Sequence, residues 1–300
     1  MKNKNKIIII TGATSFLGYN CARFFLSKGF VVFAILRPES KNNDKVLEMK
    51  GVIPIYLDFE KLSDNDFKIL NNKRTEDCIK FIKAYSDDIT ILHFGWGHTL
   101  DRQNFMLQML NVDYSLKVLE FAKILKVNRF IFAGSQAEYS NSAYGVAKKQ
   151  FADLAVGKLS KSKINFIHLR IFSVYGEGDR KTTLINYLIN QFKNNLNADL
   201  SNCDYMWNFL NVNDFTNILF KLIEKNATTD TYDIASLDTR LLKDYIIEAK
   251  KITKSKSELN FGSIQNKDEK FAIPDIKNLL KKIGKYEFID FKKGFLDLYE

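Results

Sequence analysis

Residues 7–10 are four consecutive isoleucines, preceded by Lys and Asn and followed by Thr11 and Gly12. An apolar run of this length, closed by a turn, predicts a central parallel strand covered on both faces. Apolar Phe16, Leu17, Cys21, Phe24 and Phe25 then recur at helical spacing over 16–28, and Gly29 supplies a stop. Further strands are predicted over 30–36, 52–56, 89–93, 129–133 and 165–171, with helices over 101–125 and 142–159. This alternation predicts an α/β fold built on a doubly wound parallel sheet, a Rossmann arrangement. Beyond Gly176 the rhythm loosens: helices are expected over 183–192, 213–223 and 241–252, and short strands over 205–210 and 231–234. Neither a repeat nor a low-complexity linker occurs, so the second half is expected as a cap on the sheet.

The turn after the first strand narrows the chemistry. Gly12 and Gly18 bracket it with Ser15 midway, a G-x-x-G-x-x-G spacing whose middle glycine is replaced. Such a turn presents backbone N–H groups and the positive end of a helix to a pyrophosphate. A plain strand-turn-helix with glycines for packing has the same pattern.

Composition removes several classes of function. With 46% apolar residues in 300, the chain holds enough core for one large domain or a main domain and an appendage. Cys21, Cys78 and Cys203 have no paired spacing, so neither a disulfide framework nor a metal site is expected. The basic start MKNKNK is followed by too short an apolar stretch for an export signal, and no run approaches a membrane span. A cytoplasmic protein is expected. The net charge of +10 is spread over scattered lysines without aromatic interleaving, which argues against nucleic acid as a partner.

The next signal is Tyr144-Gly-Val-Ala-Lys148. Residues four apart share a helix face, so this phenol and ammonium can act on one ligand. A nearby cation favours the phenolate and makes tyrosine an acid/base near neutral pH. The match gains weight from following the turn Ala133-Gly134-Ser135, where a hydroxyl can polarise a carbonyl.

With these residues the chain resembles the extended short-chain dehydrogenase/reductases, the NAD(P)-dependent epimerase/dehydratase family acting on nucleotide sugars. TGATSFLG is similar to the family's cofactor turn, which implies contacts from Gly12, Thr14, Ser15, Phe16, Leu17 and Gly18. Tyr56-Leu57-Asp58-Phe59 resembles the segment whose aspartate holds the adenine amine. His93-Phe94-Gly95-Trp96 is similar to the H-x-A-A/G segment, and Asn111-Val112 opens the helix that follows. Ser135, Tyr144 and Lys148 match the catalytic trio. Leu169-Arg170-Ile171-Phe172-Ser173-Val174-Tyr175-Gly176 resembles L-R-x-x-N-V-Y-G, and Trp207-Asn208-Phe209-Leu210-Asn211-Val212-Asn213-Asp214 resembles R-D-F-x-x-V-x-D. Pro274-Asp275-Ile276-Lys277, with Gly284, is similar to the C-terminal segment. The resemblance implies a dinucleotide-binding domain over 1–175, to which 208–235 returns, and a mainly substrate-binding region over 176–300.

Departures from the family pattern restrict the reaction. Gln136 and Ala137 stand where water-eliminating members carry an Asp-Glu pair, and Glu138, one place late, is expected to point elsewhere. Gln136 also stands where some epimerising members carry a cysteine. What remains is reduction of a keto sugar, or 4-epimerisation by oxidation and re-reduction of one carbon. A dinucleotide-binding sensor without turnover is a third reading, and intact Tyr144 and Lys148 weigh against it. The second strand ends in Arg37, which suits a 2′-phosphate by bidentate bonding and favours NADP(H), with NAD(H) the alternative. Gln136, Ser173, Arg180, Trp207 and Arg240 are candidate contacts to a nucleotide-diphosphate sugar. His93 is expected to act through its backbone and His168 to be a satisfied core histidine. Apolar faces on more than one side of the 101–125 and 142–159 helices are expected to form a homodimer interface, as the resemblance implies.

Overall fold

The computed structural model describes residues 6–62, 88–265 and 272–300, together with 77, 80–82, 84 and 86. Cys78 and the first five residues of the basic start lie outside the described residues. The chain divides into two compact units: everything up to Leu169 with Asn226–Thr231, and Arg170–Lys225 with Tyr232–Glu300.

In the first unit the strands are β1 (Ile7–Thr11), β2 (Val31–Leu36), β3 (Val52–Tyr56), β4 (Ile89–His93) and β5 (Arg129–Ala133). With β6 (Asn165–Ile171) and β10 (Asp230–Ile234) they form a seven-stranded sheet of order β10-β6-β5-β4-β1-β2-β3. The β1–β2, β2–β3, β1–β4, β4–β5 and β5–β6 pairs are all parallel. The chain therefore reverses its winding at β1, and in such sheets ligands bind beyond the carboxyl ends near that point. The four isoleucines of β1 are at most 1% exposed, which is why the strand carries no polar face.

Helices α1 (Phe16–Ser27), α2 (Asp44–Leu47), α3 (Phe105–Leu125) and α4 (Ala143–Leu159) belong to this unit. Capping residues set their starts. Ser15 accepts from Gly18 N–H, Asn104 from Leu107 N–H and Ser142 from Gly145 N–H. Asn104 starts α3 at Phe105 rather than at 101, because its side chain satisfies an N–H that the helix cannot.

The second unit has a three-stranded sheet, β7 (Ser173–Tyr175), β9 (Met206–Asn211) and β11 (Thr239–Leu241), in the order β11-β9-β7. A two-stranded pair joins β8 (Ala198–Leu200) to β12 (Leu259–Phe261). Its helices are α5 (Leu184–Asn194), α6 (Val212–Glu224), α7 (Leu242–Thr253), α8 (Lys277–Ile283) and α9 (Phe291–Tyr299). Tyr175, Phe192, Phe209, Tyr245, Phe291 and Phe295 fill its core. The aspartate of the Val212-Asn213-Asp214 motif is structural: its carboxylate accepts from Tyr286 O–H and Ile289 N–H, each at 2.8 Å. No helix among the described residues is long and apolar enough to cross a membrane.

Candidate active site

The turn between β1 and α1 is made for close backbone approach. Gly12 has φ +67°, and a Cβ there would lie 2.8 Å from Gly95 N. At Gly18 a Cβ would lie 2.2 Å from Gly12 O, so the helix can sit against its own turn only with glycine. The first-turn N–H groups of Phe16 and Leu17 have no intrahelical acceptor by geometry, and that turn carries no acidic side chain. These features fit a pyrophosphate at the positive end of α1. The Ser15 oxygen is engaged with Gly18 N–H at 3.2 Å, which leaves its O–H as the donor toward a ligand. Thr14 is half-buried beside it.

Beside this turn, β4 and its following loop are tied down by a buried polar chain. Ser115 O–H donates to the Asn111 carbonyl at 2.7 Å, so its oxygen accepts from His93 Nε2 at 2.9 Å. His93 Nδ1 is then the acceptor for Thr11 O–H at 2.6 Å, and the Thr11 oxygen takes Gly95 N–H at 3.2 Å. This assigns His93 as a neutral imidazole protonated on Nε2. Burial first, and the Lys148 charge second, lower its pKa to about 3, in keeping with that state. Its side chain thus fastens β1 to the loop, which goes beyond the expected backbone role. Asn111 donates to Gly97 O and Leu107 O and accepts from Gly97 N–H at 2.6 Å, fixing the same loop.

After β3, Phe59 is buried against Tyr114 and Phe121, so it offers a ligand only its backbone. Asp58 accepts from Glu60 N–H at 3.1 Å and keeps a partly exposed carboxylate. Arg37 is exposed, with its guanidinium 3.8 Å from Glu60. A 2′-phosphate there would meet one cation and one anion. Phe94 is buried.

Ser135, Tyr144 and Lys148 all lie in the first unit, gathered by one packing contact. One turn of 3-10 helix (Gln136–Tyr139) follows Ser135, and a Cβ at Gly145 would lie 1.9 Å from Ala137 O. The glycine inside the Tyr144/Lys148 motif therefore lets α4 press against the serine-bearing turn. Lys148 is buried, and its ammonium donates to the Ala133 carbonyl. It lies 4.2 Å from the Trp96 ring centre, 5.0 Å from Phe132 and 5.5 Å from Tyr144. Burial lowers its pKa to about 7, opposed by the charge of Glu138. Trp96 is held by its indole N–H on Gln108 Oε1 at 2.9 Å and meets Tyr144 edge-on. Tyr144 N–H donates to the Arg102 carbonyl at 2.9 Å, and the Arg102 guanidinium stands 4.8 Å from the phenol ring centre.

Glu138 is folded back onto the Ser135 turn. It points inward, its Oε1 accepting from Ser135 N–H at 2.7 Å and lying 3.1 Å from His168 Nε2. The reason is local: in a 3-10 turn the third side chain returns over the first N–H, and Ser135-x-x-Glu138 is a capping box. The S-x-x-E spacing was the available signal. Trp96 as a cation platform and Arg102 had none, because both depend on where the loop after β4 lies. Gln136 is half-buried at the start of the turn.

Among the remaining expected contacts, Ile171 is buried at the end of β6 and Ser173 half-buried at the start of β7. Trp207 packs between Tyr205 and Phe209, and Arg180 is exposed. Arg240 is paired with Glu248 and with Asp238 at 3.2 Å, above the Tyr245 ring, so a phosphate there would compete with two carboxylates. Among the described residues no group of three or more His, Cys, Asp or Glu is placed to hold a metal ion.

Residues 8–235 match the NAD dependent epimerase/dehydratase family. The chain belongs to that family. It is 25% identical over 281 residues to a CDP-abequose synthase of Salmonella muenchen, covering 90% of this chain and 88% of the relative. The fold is similar to a UDP-glucose 4-epimerase from Thermotoga maritima, with TM-score 0.79, 15% identity and 96% of each chain covered. A UDP-N-acetylglucosamine 4-epimerase from Methanobrevibacter ruminantium is similar at TM-score 0.78 and 16% identity, over 97% of this chain and 96% of that one.

Proposed function

We propose that this protein is an NAD(P)H-dependent reductase of a nucleotide-linked 4-keto-6-deoxy sugar, serving synthesis of a surface-polysaccharide precursor. The observation that carries the reading is the convergence of the Ser135 turn, Tyr144 and a buried Lys148 in the unit that holds the glycine turn. A bound nicotinamide would supply the hydride. Tyr144 gives its phenolic proton to the developing alkoxide oxygen, and Ser135 hydrogen-bonds that oxygen. The Lys148 ammonium, 5.5 Å from the Tyr144 ring centre, would hold the ribose hydroxyls of a bound dinucleotide and favour release of the phenolic proton. Gln136 and Ala137 offer no acid/base pair for loss of water, which favours reduction over dehydration. The relatives' names, a CDP-abequose synthase and two UDP-sugar epimerases, support a nucleotide-linked sugar as substrate.

The second reading is a 4-epimerase, favoured by the resemblance in fold to two enzymes so named. An epimerase would keep NAD through turnover, whereas a reductase exchanges it. We assign the dinucleotide to 1–175 and substrate recognition mainly to 176–300. Arg37 supports NADPH and neighbouring Glu60 weighs against it.

We also propose a homodimer. Phe105, Met106 and Leu110 on α3 are 53%, 73% and 60% exposed, and Val146 and Leu154 on α4 are also exposed. Exposed apolar side chains at helical spacing on two packed helices suit a second copy.

The deciding experiment incubates purified protein with NADPH or NADH and a panel of nucleotide-linked keto sugars, following reduced-nicotinamide absorbance. Tyr144→Phe is expected to abolish oxidation of the cofactor while leaving its binding intact. Normal turnover by that variant, or tightly retained NAD with interconversion of sugar epimers, overturns the reductase reading.

A further inference from the structure

A buried carboxylate and imidazole lie directly behind the Ser135 turn, and no step above uses them. The Glu138 side chain is 4% exposed and the His168 side chain 8%, with Glu138 Oε2 3.0 Å from His168 Nε2. Glu138 Oε1 takes the Ser135 N–H, while the Ser135 oxygen takes the Ala137 N–H at 3.1 Å. The backbone and hydroxyl of Ser135 are thus both set by one capping box. The space for the pair is provided by a missing side chain. A Cβ at Gly134 would fall 2.3 Å from His168 Nε2 and 2.4 Å from Glu138 Oε1.

The carboxylate also bears on Lys148. That ammonium is surrounded by three aromatic faces and donates to the Ala133 carbonyl. The Glu138 carboxylate sits over Gly134 and takes the Ser135 N–H, one and two residues further on, so it is the anion beside this cation. The other titratable or charged groups facing this cluster include Tyr144 on α4, Arg102 before α3, 4.8 Å from the Tyr144 ring centre, His93 on β4, whose charged form Lys148 opposes, and His168 on β6. Thr231 Oγ1 lies 3.4 Å from the other nitrogen of His168.

We propose that Glu138 is the positioning residue of this site: it holds Ser135 through the backbone and balances the charge of the buried Lys148 ammonium, with His168 fixing the carboxylate from behind. The proposal rests on Ser135, Tyr144 and Lys148 being the reacting set. Two substitutions separate its two halves. Glu138→Gln keeps an oxygen for the Ser135 N–H and removes the charge; Glu138→Asp keeps the charge and loses the reach.

The direct readout uses the full chain without cofactor. With lysine labelled at 13Cε, the Lys148 carbon shift against pH, assigned by its loss in Lys148→Met, reports when this buried ammonium loses its proton. In Glu138→Gln the midpoint is expected to fall by on the order of one pH unit. With a CDP-linked 4-keto-6-deoxyhexose as probe, the alkaline limb of kcat/KM should fall by the same amount. In Glu138→Asp the midpoint should stay within a few tenths of a unit, while kcat drops about tenfold or more and KM for the cofactor holds.

An unchanged Lys148 midpoint in folded Glu138→Gln overturns the charge role, and an unchanged kcat in Glu138→Asp overturns the serine role. If the glutamine variant does not fold, the aspartate variant alone decides, since unaltered turnover there removes the positioning claim. Failure of the parent reading looks different: Tyr144→Phe would turn over normally, whatever the titration midpoint of Lys148.

Discussion

The Lys148 ammonium lies 4.2 Å from the centre of the Trp96 ring, in a side chain that is buried, with the residue 4% exposed. A cation in that place is stabilised by the ring face and by the Ala133 carbonyl, yet it has lost most of its hydration. Burial outweighs both partners, which is why its pKa falls from 10.5 to about 7.

A pH dependence of stability follows. In the unfolded chain this amine loses its proton near its ordinary value of 10.5, and in the folded chain near about 7. Between those values the unfolded chain binds more protons, so stability rises with pH across the window. Below about 7 both states are protonated and the cost of burying the charge is fully present. Lys148→Met, which removes the charge, is therefore expected to melt higher than the native protein at pH 6, by on the order of 2 kcal/mol. The difference should shrink as pH rises toward 10, and calorimetry across pH checks it. The same variant should be inactive.

Gly18 is a steric requirement rather than a preference. A Cβ 2.2 Å from the Gly12 carbonyl oxygen cannot be relieved by a side-chain rotation, because the backbone fixes the Cβ position and the oxygen is itself backbone. Gly18→Ala is expected to cost at least about 2 kcal/mol and to weaken dinucleotide binding. Chemical denaturation and cofactor fluorescence titration measure the two effects separately.

Arg37 and Glu60 stand 3.8 Å apart at the end of β2. If Arg37 receives a 2′-phosphate, Arg37→Ala should lower kcat/KM for NADPH about tenfold or more and leave NADH nearly unchanged, as expected for a lost charge-assisted pair. Glu60→Gln should move the ratio toward NADPH. Steady-state kinetics with both cofactors tests the pair.

Met106 and Leu110 are one helical turn apart on the exposed face of α3. Met106→Asp with Leu110→Asp places two carboxylates on the proposed dimer face, where like charges from two copies would meet. Light scattering is expected to show a monomer for this variant and a dimer for the native chain. The fold should be unaffected, since neither side chain is buried.

Much of the architecture was legible because it rests on local rules. The isoleucine run announced a covered strand, and the spacing of Phe16, Leu17, Cys21, Phe24 and Phe25 announced α1. The element starts were less legible. α3 begins at Phe105, not 101, since the cap at Asn104 outranks the apolar period. In the second unit the strand at 205–210 and the helix at 241–252 were anticipated, but three-residue β7, β8, β11 and β12 and the helices α8 and α9 escaped notice, because short elements carry little pattern.

The chain itself specifies strand, glycine turn and the helical spacing of Tyr144 and Lys148, because each depends on residues within a few positions of one another. Folding decided which charges meet. Arg240 met Glu248 and Asp238, Arg37 met Glu60, and Glu138 turned inward to His168, thirty residues away. Those encounters bring together residues from separate elements, and electrostatic energy depends on distance and burial in space, neither of which is written in sequence order.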